Sequence, residues 1–238
     1  MTIQFPGNAA PFIATSRNIL ISQGITLTIG TDFEEYRDIV AEERPMQKLG
    51  APFDPELHGL NKANAFWLIG RSEDGELIHT QAAKRVRLSA RPLSGYLLRQ
   101  FRAFPPPLKG VDLARSRFRA TPGTHKISGM AAYHGEFWVA PERGKYRGVG
   151  LAPVLGRTGM LEMMQRWDPD WIYGFILNVV AFKGFAARIG YLHLEPSVLK
   201  WVVEGRDAPI DTFLAYNSRE DLEYLLDIPL SDVVPEAA

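Results

Sequence analysis

The sequence predicts a single α/β (α+β) domain in which helices flank a mixed central sheet of about seven strands. Short alternating or apolar segments are separated by stretches with helix signals, and glycine and proline mark the turns between them. No linker-like segment divides the 238 residues. We therefore expect an N-terminal arm over residues 1–24 and one domain over residues 25–238.

Composition narrows the class of protein. Hydrophobic residues make up 46% and charged residues 23%, a balance that allows a sizeable core. The 27 Lys and Arg residues match the 27 Asp and Glu residues, whereas nucleic-acid binders usually carry a basic excess, so no nucleic-acid partner is expected. Because there is no cysteine, disulfides, thiolate metal sites and a cysteine nucleophile are excluded.

We expect no signal peptide and no transmembrane helix. The first residues show neither a basic start nor a long apolar run, and no stretch of ~18 apolar residues occurs anywhere. We expect a cytoplasmic protein with no metal and no membrane span.

The first third of the chain contains three clear signals. Residues 12–21 could form a short strand within the arm. The alternation ITLTI at 25–29 predicts a half-buried strand. Thr31 or Asp32 can then cap a helix that runs to about Arg44, with two glutamates in its first turn, where the helix dipole favours acids.

The remaining elements follow from the same rules. Asp74-Gly75 is a hairpin turn, and a run of three prolines opens a loop from 105 to about 123. Ser218, with an acid three residues later, can cap the last helix. Further strands are expected at 66–69, 77–86, 130–139, 171–178, 192–203 and 212–216, and helices at 93–104, 150–166, 181–189 and 219–226.

The most informative segment is 136–152, with the sequence EFWVAPERGKYRGVGLA. A strand ends near Val139, a polar loop follows, and the run Arg147-Gly148-Val149-Gly150-Leu151-Ala152 opens a helix. The two glycines let the backbone turn tightly beside a bulky anion, and the first helical turn points free N–H groups at it. Arg147 adds a forked cation, so this turn suits a pyrophosphate.

This segment resembles the acyl-CoA motif of the GNAT superfamily, Gln/Arg-x-x-Gly-x-Gly/Ala. Arg147, Gly150 and Ala152 fill its defined positions. The family's lead-in Val-x-Pro-Glu-Tyr-Arg-Gly is visible with a three-residue insertion at 143–145, in Val139, Pro141, Glu142, Tyr146, Arg147 and Gly148. Further downstream, the family's Asn, Ala-containing helix and closing Gly-Phe are matched by Asn178, Ala181 and Gly190-Tyr191.

The resemblance implies a GNAT-like acyl-CoA N-acyltransferase fold. In that fold two parallel strands, here 134–139 and 171–178, splay apart, and the pantetheine arm of coenzyme A fills the gap. It implies acetyl-CoA as co-substrate and direct attack by an amine, without a covalent enzyme intermediate. The residues it assigns to coenzyme A are Val139, Arg147, Gly148, Val149, Gly150, Leu151, Ala152 and Asn178.

Direct attack needs a neutral amine, so a general base is useful. Glu136 lies where many family members keep a glutamate, and strand alternation predicts that it shares one face with His134 and Trp138. We take Glu136 as the candidate base and His134 as the second. The other interpretation of Glu136 is a structural ion-pair partner, and the two stay open at this point.

The tyrosine that serves as the general acid in many family members has no direct counterpart in this sequence. The family often supplies a tyrosine to protonate the departing thiolate, but the corresponding residues here are Phe185 and Ala186, which leaves Tyr173 as a conceivable substitute. Trp138 and Phe185 are candidates for binding the acceptor substrate.

Three functions compete. The first is transfer of acetyl from acetyl-CoA to the primary amine of a small or amino-acid-like molecule. The second is a long-chain enzyme that resembles acyl-homoserine-lactone and N-acyl-amino-acid synthases, suggested by Arg44, Asp54, Asp74-Gly75, Leu97-Leu98 and Phe101. The third is a degenerate module that only binds acyl-CoA, suggested by the missing tyrosine.

The possible partners differ between these functions. A long-chain enzyme could take its acyl group from acyl carrier protein, and two basic clusters would suit that acidic protein. They comprise Lys84, Arg85, Arg87, Arg91, Arg99 and Arg102, and then Arg115, Arg117 and Arg119. The first function needs only a small-molecule amine. A homodimer is common among members of the family.

Overall fold

A computed structural model describes residues 9–44, 46–88, 91–141 and 150–229, with only the backbone of residues 9–13. Within these residues eight strands form one sheet. The strands are β1 (Thr26–Gly30), β2 (Ala65–Arg71), β3 (Leu77–Leu88), β4 (Val111–Phe118), β5 (Gly129–Val139), β6 (Trp171–Leu177), β7 (His193–Val203) and β8 (Ile210–Ser218). The helices are α1 (Ala9–Ser22), α2 (Phe33–Glu43), α3 (Leu93–Gln100), α4 (Pro122–Lys126), α5 (Leu151–Trp167), α6 (Asn178–Ala181), α7 (Phe185–Arg188) and α8 (Arg219–Asp227).

The strands are arranged in the order β1-β2-β3-β5-β6-β8-β7-β4. The pair β5–β6 is parallel, and the other neighbouring pairs in this order are antiparallel. The predicted mixed sheet is therefore confirmed, with one strand more than the seven or so expected.

Most elements with a strong local signal form where the sequence places them. The Asp32 side chain accepts hydrogen bonds from the amides of Glu34 and Glu35 and so caps α2. Ser218 and Asp221 form the reciprocal cap that starts α8. These local signals succeed because capping depends on neighbours in the chain rather than on distant contacts.

The N-terminal strand expected at 12–21 is wrong, because the segment is the helix α1. Ser16 and Leu20 are both buried, and their spacing of four residues is that of one helix face rather than a strand face. Leu20 packs into the core beneath α5 and α8. The division of the chain at residue 24 stays a prediction.

The loop expected from 105 to 123 contains β4 and the short helix α4. β4 was missed because it is an edge strand with a polar, mostly accessible sequence and an interrupted register against β7. Its buried residue is Ser116, whose hydroxyl donates to the Asp112 carbonyl (2.6 Å) and accepts the Val202 amide (3.1 Å).

The single helix expected at 181–189 is also wrong. Two short turns, α6 and α7, occupy the region, and Gly184 separates them with φ of 71°. A left-handed residue interrupts the helical hydrogen-bond ladder, and glycine takes that conformation without a steric penalty. Both turns face the sheet at the end where β6 finishes.

The sheet carries a hydrophobic core on each face. One core lies beneath α1, α5 and α8, and we call this side the α5 face. The other lies beneath α2 and α3, and we call it the α2 face. Because β5 and β6 are central strands, residues on both faces of each are shielded from water. No helix in the described ranges is long and apolar enough to cross a membrane.

Glycine allows α5 to lie close to its neighbours. A Cβ built on Gly156 would lie 2.3 Å from the Ile189 carbonyl oxygen, and one on Gly159 would lie 2.1 Å from Gln81 Oε1. The first of these contacts is to backbone, which cannot move aside by changing a rotamer. Close packing at Gly156 therefore fixes α5 against the turn that follows α7.

We expect Gly156→Ala to lower the free energy of unfolding by roughly 1–3 kcal/mol, because the new methyl group overlaps a backbone oxygen. This cost outweighs the ~0.5–1 kcal/mol that alanine gains over glycine inside a helix. Gly95→Ala in α3 is the matched control, since its nearest contact is the Arg91 side chain at 3.1 Å, and it should be neutral or stabilising. Urea unfolding measures both, and equal effects would contradict the packing described here.

Candidate functional site

The strands β5 and β6 are paired only at their beginnings. Their ladder joins residues 131–133 to residues 171–173 and ends there, although β5 continues beside β3 as far as Val139. A Cβ on Gly174 would lie 2.7 Å from the His134 carbonyl oxygen, so the two backbones still touch where the ladder ends. The predicted parallel pair that separates is confirmed.

A cavity of about 970 Å³ occupies the space between the separated strands. Val180 and Phe185 line it from the α5 face, and Phe53 and Phe104 line it from the α2 face. The cavity therefore passes through the sheet rather than lying on one side of it. Its volume is at the upper end of the ~300–1,000 Å³ typical of ligand sites.

Most of the predicted site residues meet at this cavity. Those that line it are His134, Glu136, Trp138, Val139, Gly150, Leu151, Ala152 and Phe185. Asn178 does not line the described part of the cavity, and its side-chain oxygen accepts the Val179 amide at 2.8 Å. Arg147, Gly148 and Val149 lie outside the described residues, as does the insertion at 143–145.

The beginning of α5 forms one end of the cavity. Gly150 caps the helix in a left-handed conformation with φ of 79°, and residues 151–153 of the first turn line the cavity. The first amides of a helix have no intrahelical partners, so this end offers hydrogen-bond donors and a positive dipole. Lys183 and Arg188 line the same cavity and add two cations, although no sequence motif marks either residue.

The prediction that Glu136 shares one face of β5 with His134 is wrong, because β5 contains a β-bulge. Thr80 pairs with Trp138 and Ala82 pairs with Gly135, so two residues of β5, at 136 and 137, lie opposite Gln81 alone. Glu136 has a φ of 56°. The bulge breaks the alternation: Glu136 contacts groups on the α2 face, while the His134 side chain lies on the α5 face.

The Glu136 carboxylate is buried and held on both oxygens. Oε1 accepts the Gly50 amide at 2.9 Å, and Oε2 accepts Nη1 of Arg44 at 3.3 Å. Arg44 also donates to the Thr80 hydroxyl (2.6 Å) and lies over the Trp138 ring. Burial raises the pKa of Glu136, whereas Arg44 and the Gly50 amide oppose that shift by stabilising the ionised form. Glu136 is therefore a buried ion-pair partner of Arg44, and it also lines the cavity.

His134 belongs to a chain of hydrogen bonds whose direction can be deduced. The Gln81 amide nitrogen donates to the Leu155 carbonyl (2.8 Å), so Gln81 Oε1 must accept from Nε2 of His134 (2.9 Å). Burial lowers the pKa of His134 to about 4, so the neutral ring leaves Nδ1 as an acceptor. The Tyr191 hydroxyl, 3.1 Å away, then donates to that nitrogen.

Tyr191 is the functional candidate that sequence reasoning missed. It follows the closing Gly190 of the resemblance, and its hydroxyl reaches the cavity beside Gly174 and His134. Burial raises the pKa of Tyr191 well above its usual value, so the hydroxyl stays protonated at neutral pH. Tyr173, the substitute considered from sequence, is fully buried in the core of the α2 face and does not line the cavity.

The two buried histidines make the free energy of unfolding depend on pH. Burial lowers the pKa of His79 to about 3 and that of His134 to about 4, against ~6.5 in an unfolded chain. Below pH 6.5 the unfolded chain therefore binds protons that the folded state does not, and the free energy of unfolding falls as the pH drops from 6.5 towards 4. Above about pH 7.5 neither residue makes stability depend on pH.

We expect His134→Gln to reduce the slope of unfolding free energy against pH by about 1.4 kcal/mol per pH unit between pH 6 and 5, because one proton fewer is taken up on unfolding. Urea unfolding at closely spaced pH values measures the slope. The slope is the informative quantity, since the substitution also changes stability at pH 8. Parallel curves for the variant and the parent would show that His134 is not held neutral.

No family model matches the sequence, and no curated protein does. Solved structures of several N-acetyltransferases are similar. The Arabidopsis thaliana protein NAA60 in complex with acetyl-CoA is 14% identical, with a TM-score of 0.46 over 82% of this chain and 98% of that chain. An N-acetyltransferase from Staphylococcus aureus Mu50 is 13% identical, with a TM-score of 0.43 over 82% and 98%. A mutant of the spermidine N-acetyltransferase SpeG from Vibrio cholerae is 14% identical, with a TM-score of 0.47 over 84% and 96%.

The strand order and the opening of the parallel pair define the fold. Antiparallel strands lead into β5, the parallel strand β6 lies beside it, and the antiparallel strands β8 and β7 complete the central order. The parallel pair opens after Tyr133 and Tyr173, and α5, which connects the two strands, begins at the resulting cavity. The described part of this chain therefore has the mixed central sheet and the separating parallel pair that the resemblance in its sequence implies.

Proposed function

We propose that the protein is an acyl-CoA-dependent N-acyltransferase that acts on the primary amine of a small molecule or amino-acid-like acceptor. The observation that carries the proposal is the through-sheet cavity between β5 and β6, which has a helix N-terminus and two cations at one end and a buried carboxylate at the other. A thioester fits this arrangement because its two halves, an anionic carrier and a reactive acyl group, need different surroundings.

The anionic half of the donor would lie at the beginning of α5. The amides that follow Gly150, together with Lys183 and Arg188, supply donors and positive charge for a diphosphate. The sequence motif assigns Arg147, Gly148 and Val149 to coenzyme A, and we include them among the proposed contacts of the diphosphate. Asn178 remains a proposed contact for the pantetheine arm, and the Val139 backbone for the pantetheine or the thioester carbonyl.

Glu136 is the proposed base. The amine nitrogen would bond to the thioester carbonyl carbon, the carbon–sulfur bond would break, and Glu136 would take the proton that the nitrogen loses. Burial raises the pKa of this carboxylate and makes it a better proton acceptor than an exposed one, while Arg44 stabilises its ionised form. Met46, which is exposed, and Gln47 both line the cavity, and we propose that the amine enters beside them.

Tyr191 is the proposed acid for the departing thiolate. Its hydroxyl lines the cavity where the strands separate, and rotation about the Cζ–O bond can turn its proton from His134 towards a sulfur there. His134 is then a positioning residue, which holds the tyrosine and is itself held by Gln81. The binding-only alternative depended on the absence of a tyrosine at 185 or 186, and the proposed acid role of Tyr191 argues against it.

The test is thiol release from acyl-CoA in the presence of a panel of primary amines. We expect amine-dependent release by the parent protein, and we expect Glu136→Gln to lower kcat about 10²-fold or more while the affinity for CoA stays the same. Glu34→Gln, on the accessible side of α2, is the matched control and should behave like the parent. The proposal fails if no amine stimulates release, or if Glu136→Gln is as active as Glu34→Gln.

A further inference from the structure

Aromatic and other apolar side chains line the part of the cavity on the α2 face. We propose that it is an acyl chamber, and that the donor carries a medium- or long-chain acyl group rather than acetyl. We define the acyl chamber by its lining residues Phe104, Tyr133, Phe175, Trp201, Thr212 and the segment 105–108. This inference deepens the proposed function and rests on it, because it names the donor class for the same site.

The position of the chamber follows from the geometry of the gap. The proposed phosphate end lies on the α5 face, where α5 begins and where Lys183 and Arg188 line the cavity. The chamber lies on the α2 face, at the opposite mouth of the same cavity. A thioester placed between β5 and β6 therefore points its carrier towards α5 and its acyl chain towards the chamber.

Aromatic rings form a continuous wall around the chamber. The ring centroid of Phe104 lies 5.0 Å from that of Tyr133 and 5.5 Å from that of Phe175, and Tyr133 and Phe175 are 5.9 Å apart. Trp201, which is almost fully buried, and Thr212 extend the wall onto β7 and β8. Such a surface favours methylene groups, because burying their apolar area releases water.

Charged side chains are absent from the described lining of the chamber. Lys84 lies over the Phe104 ring at 5.5 Å, and its ammonium group donates to the Pro52 carbonyl at 2.9 Å. Glu136, the carboxylate proposed to receive the amine, lies towards the Gly50 side of the cavity. The amine and the acyl chain are thus assigned to separate parts of the site.

The chamber wall is fixed to the far edge of the sheet and so exists before a ligand binds. The wall segment lies between α3 and β4, and β4 pairs with β7. Phe101, which directly follows α3, packs against Trp201 (5.9 Å between centroids) and Phe118 of β4 (6.5 Å). A preformed apolar wall lowers the entropic cost of ordering a bound chain, which favours affinity.

Calorimetric titration with acetyl-, butyryl-, hexanoyl-, octanoyl- and decanoyl-CoA tests the inference. We expect affinity to rise by up to about fourfold per methylene until the chamber is full, from the free energy of burying one methylene. A flat series with measurable CoA binding overturns the chamber and leaves the proposed function standing. Failure of every thioester and of CoA itself to bind overturns both.

Two substitutions, one in the chamber and one outside it, test whether the chamber causes the preference for longer chains. Thr212→Leu adds bulk to the chamber and should abolish the preference for longer chains. Thr28→Leu, at an accessible position of β1, is the matched control and should retain the preference. If Thr212→Leu does not fold, Phe175→Ala carries the test, because it enlarges the chamber and should move the best chain length upwards.

The chamber could instead hold an apolar part of the acceptor amine. In that case the acyl-chain series would be flat, and Phe175→Ala would change the preference among amines of different size at fixed donor. That result overturns the acyl assignment. A best chain length that moves with Phe175→Ala, at unchanged preference among amines, supports it.

Discussion

The hydrogen-bonded ladder between β5 and β6 ends after Tyr133 and Tyr173, and the cavity exists because it ends there. Had the ladder continued, backbone would fill the space that crosses the sheet. The bulge at Glu136 accompanies the opening, and its positive φ costs on the order of 1–3 kcal/mol for a residue with a side chain. Strain of this kind persists where surrounding contacts hold it, and here they are the bonds that Glu136 makes to Arg44 and Gly50.

Two buried polar networks keep β5 in this shape from opposite faces. On the α2 face, Glu136 is held by Arg44 and Gly50, and on the α5 face His134 is held by Gln81 and Tyr191. The network around Glu136 is not an efficient source of stability. Nε and Nη2 of Arg44 have no hydrogen-bond partner within the described residues, and buried ion pairs often fail to repay their desolvation. Their value lies in position: they hold a carboxylate and a hydroxyl at the edge of the same cavity.

Much of the fold could be predicted because its signals are local. Alternation located β1, a turn dipeptide located the β2–β3 hairpin, and side-chain caps located α2 and α8. What the sequence could not show depends on distant partners. The polar edge strand β4 forms only because β7 offers an unpaired edge, and α1 is a helix because Leu20 packs under α5.

Some features of the candidate site could likewise be predicted from the sequence, and others could not. The glycine turn before α5 was visible in the sequence, because the order of strand, turn and helix is local. The parallel pair was implied by the family resemblance. The face of Glu136 was mispredicted, because a bulge depends on how β3 pairs with β5. Tyr191 was missed because its hydroxyl reaches the cavity only after the chain has crossed α6 and α7. Lys84, grouped with a surface cluster from sequence, is buried beside Phe104.

The measurement that tests this account most directly is hydrogen exchange at the β5 backbone with and without CoA. If the carrier lies in the gap, amides of residues 134–138 should exchange more slowly when CoA is bound, by roughly a hundredfold at ~100 times the dissociation constant. Amides of β4, at the far edge of the sheet, should exchange at unchanged rates. Unchanged exchange at 134–138 while CoA is demonstrably bound would contradict the account.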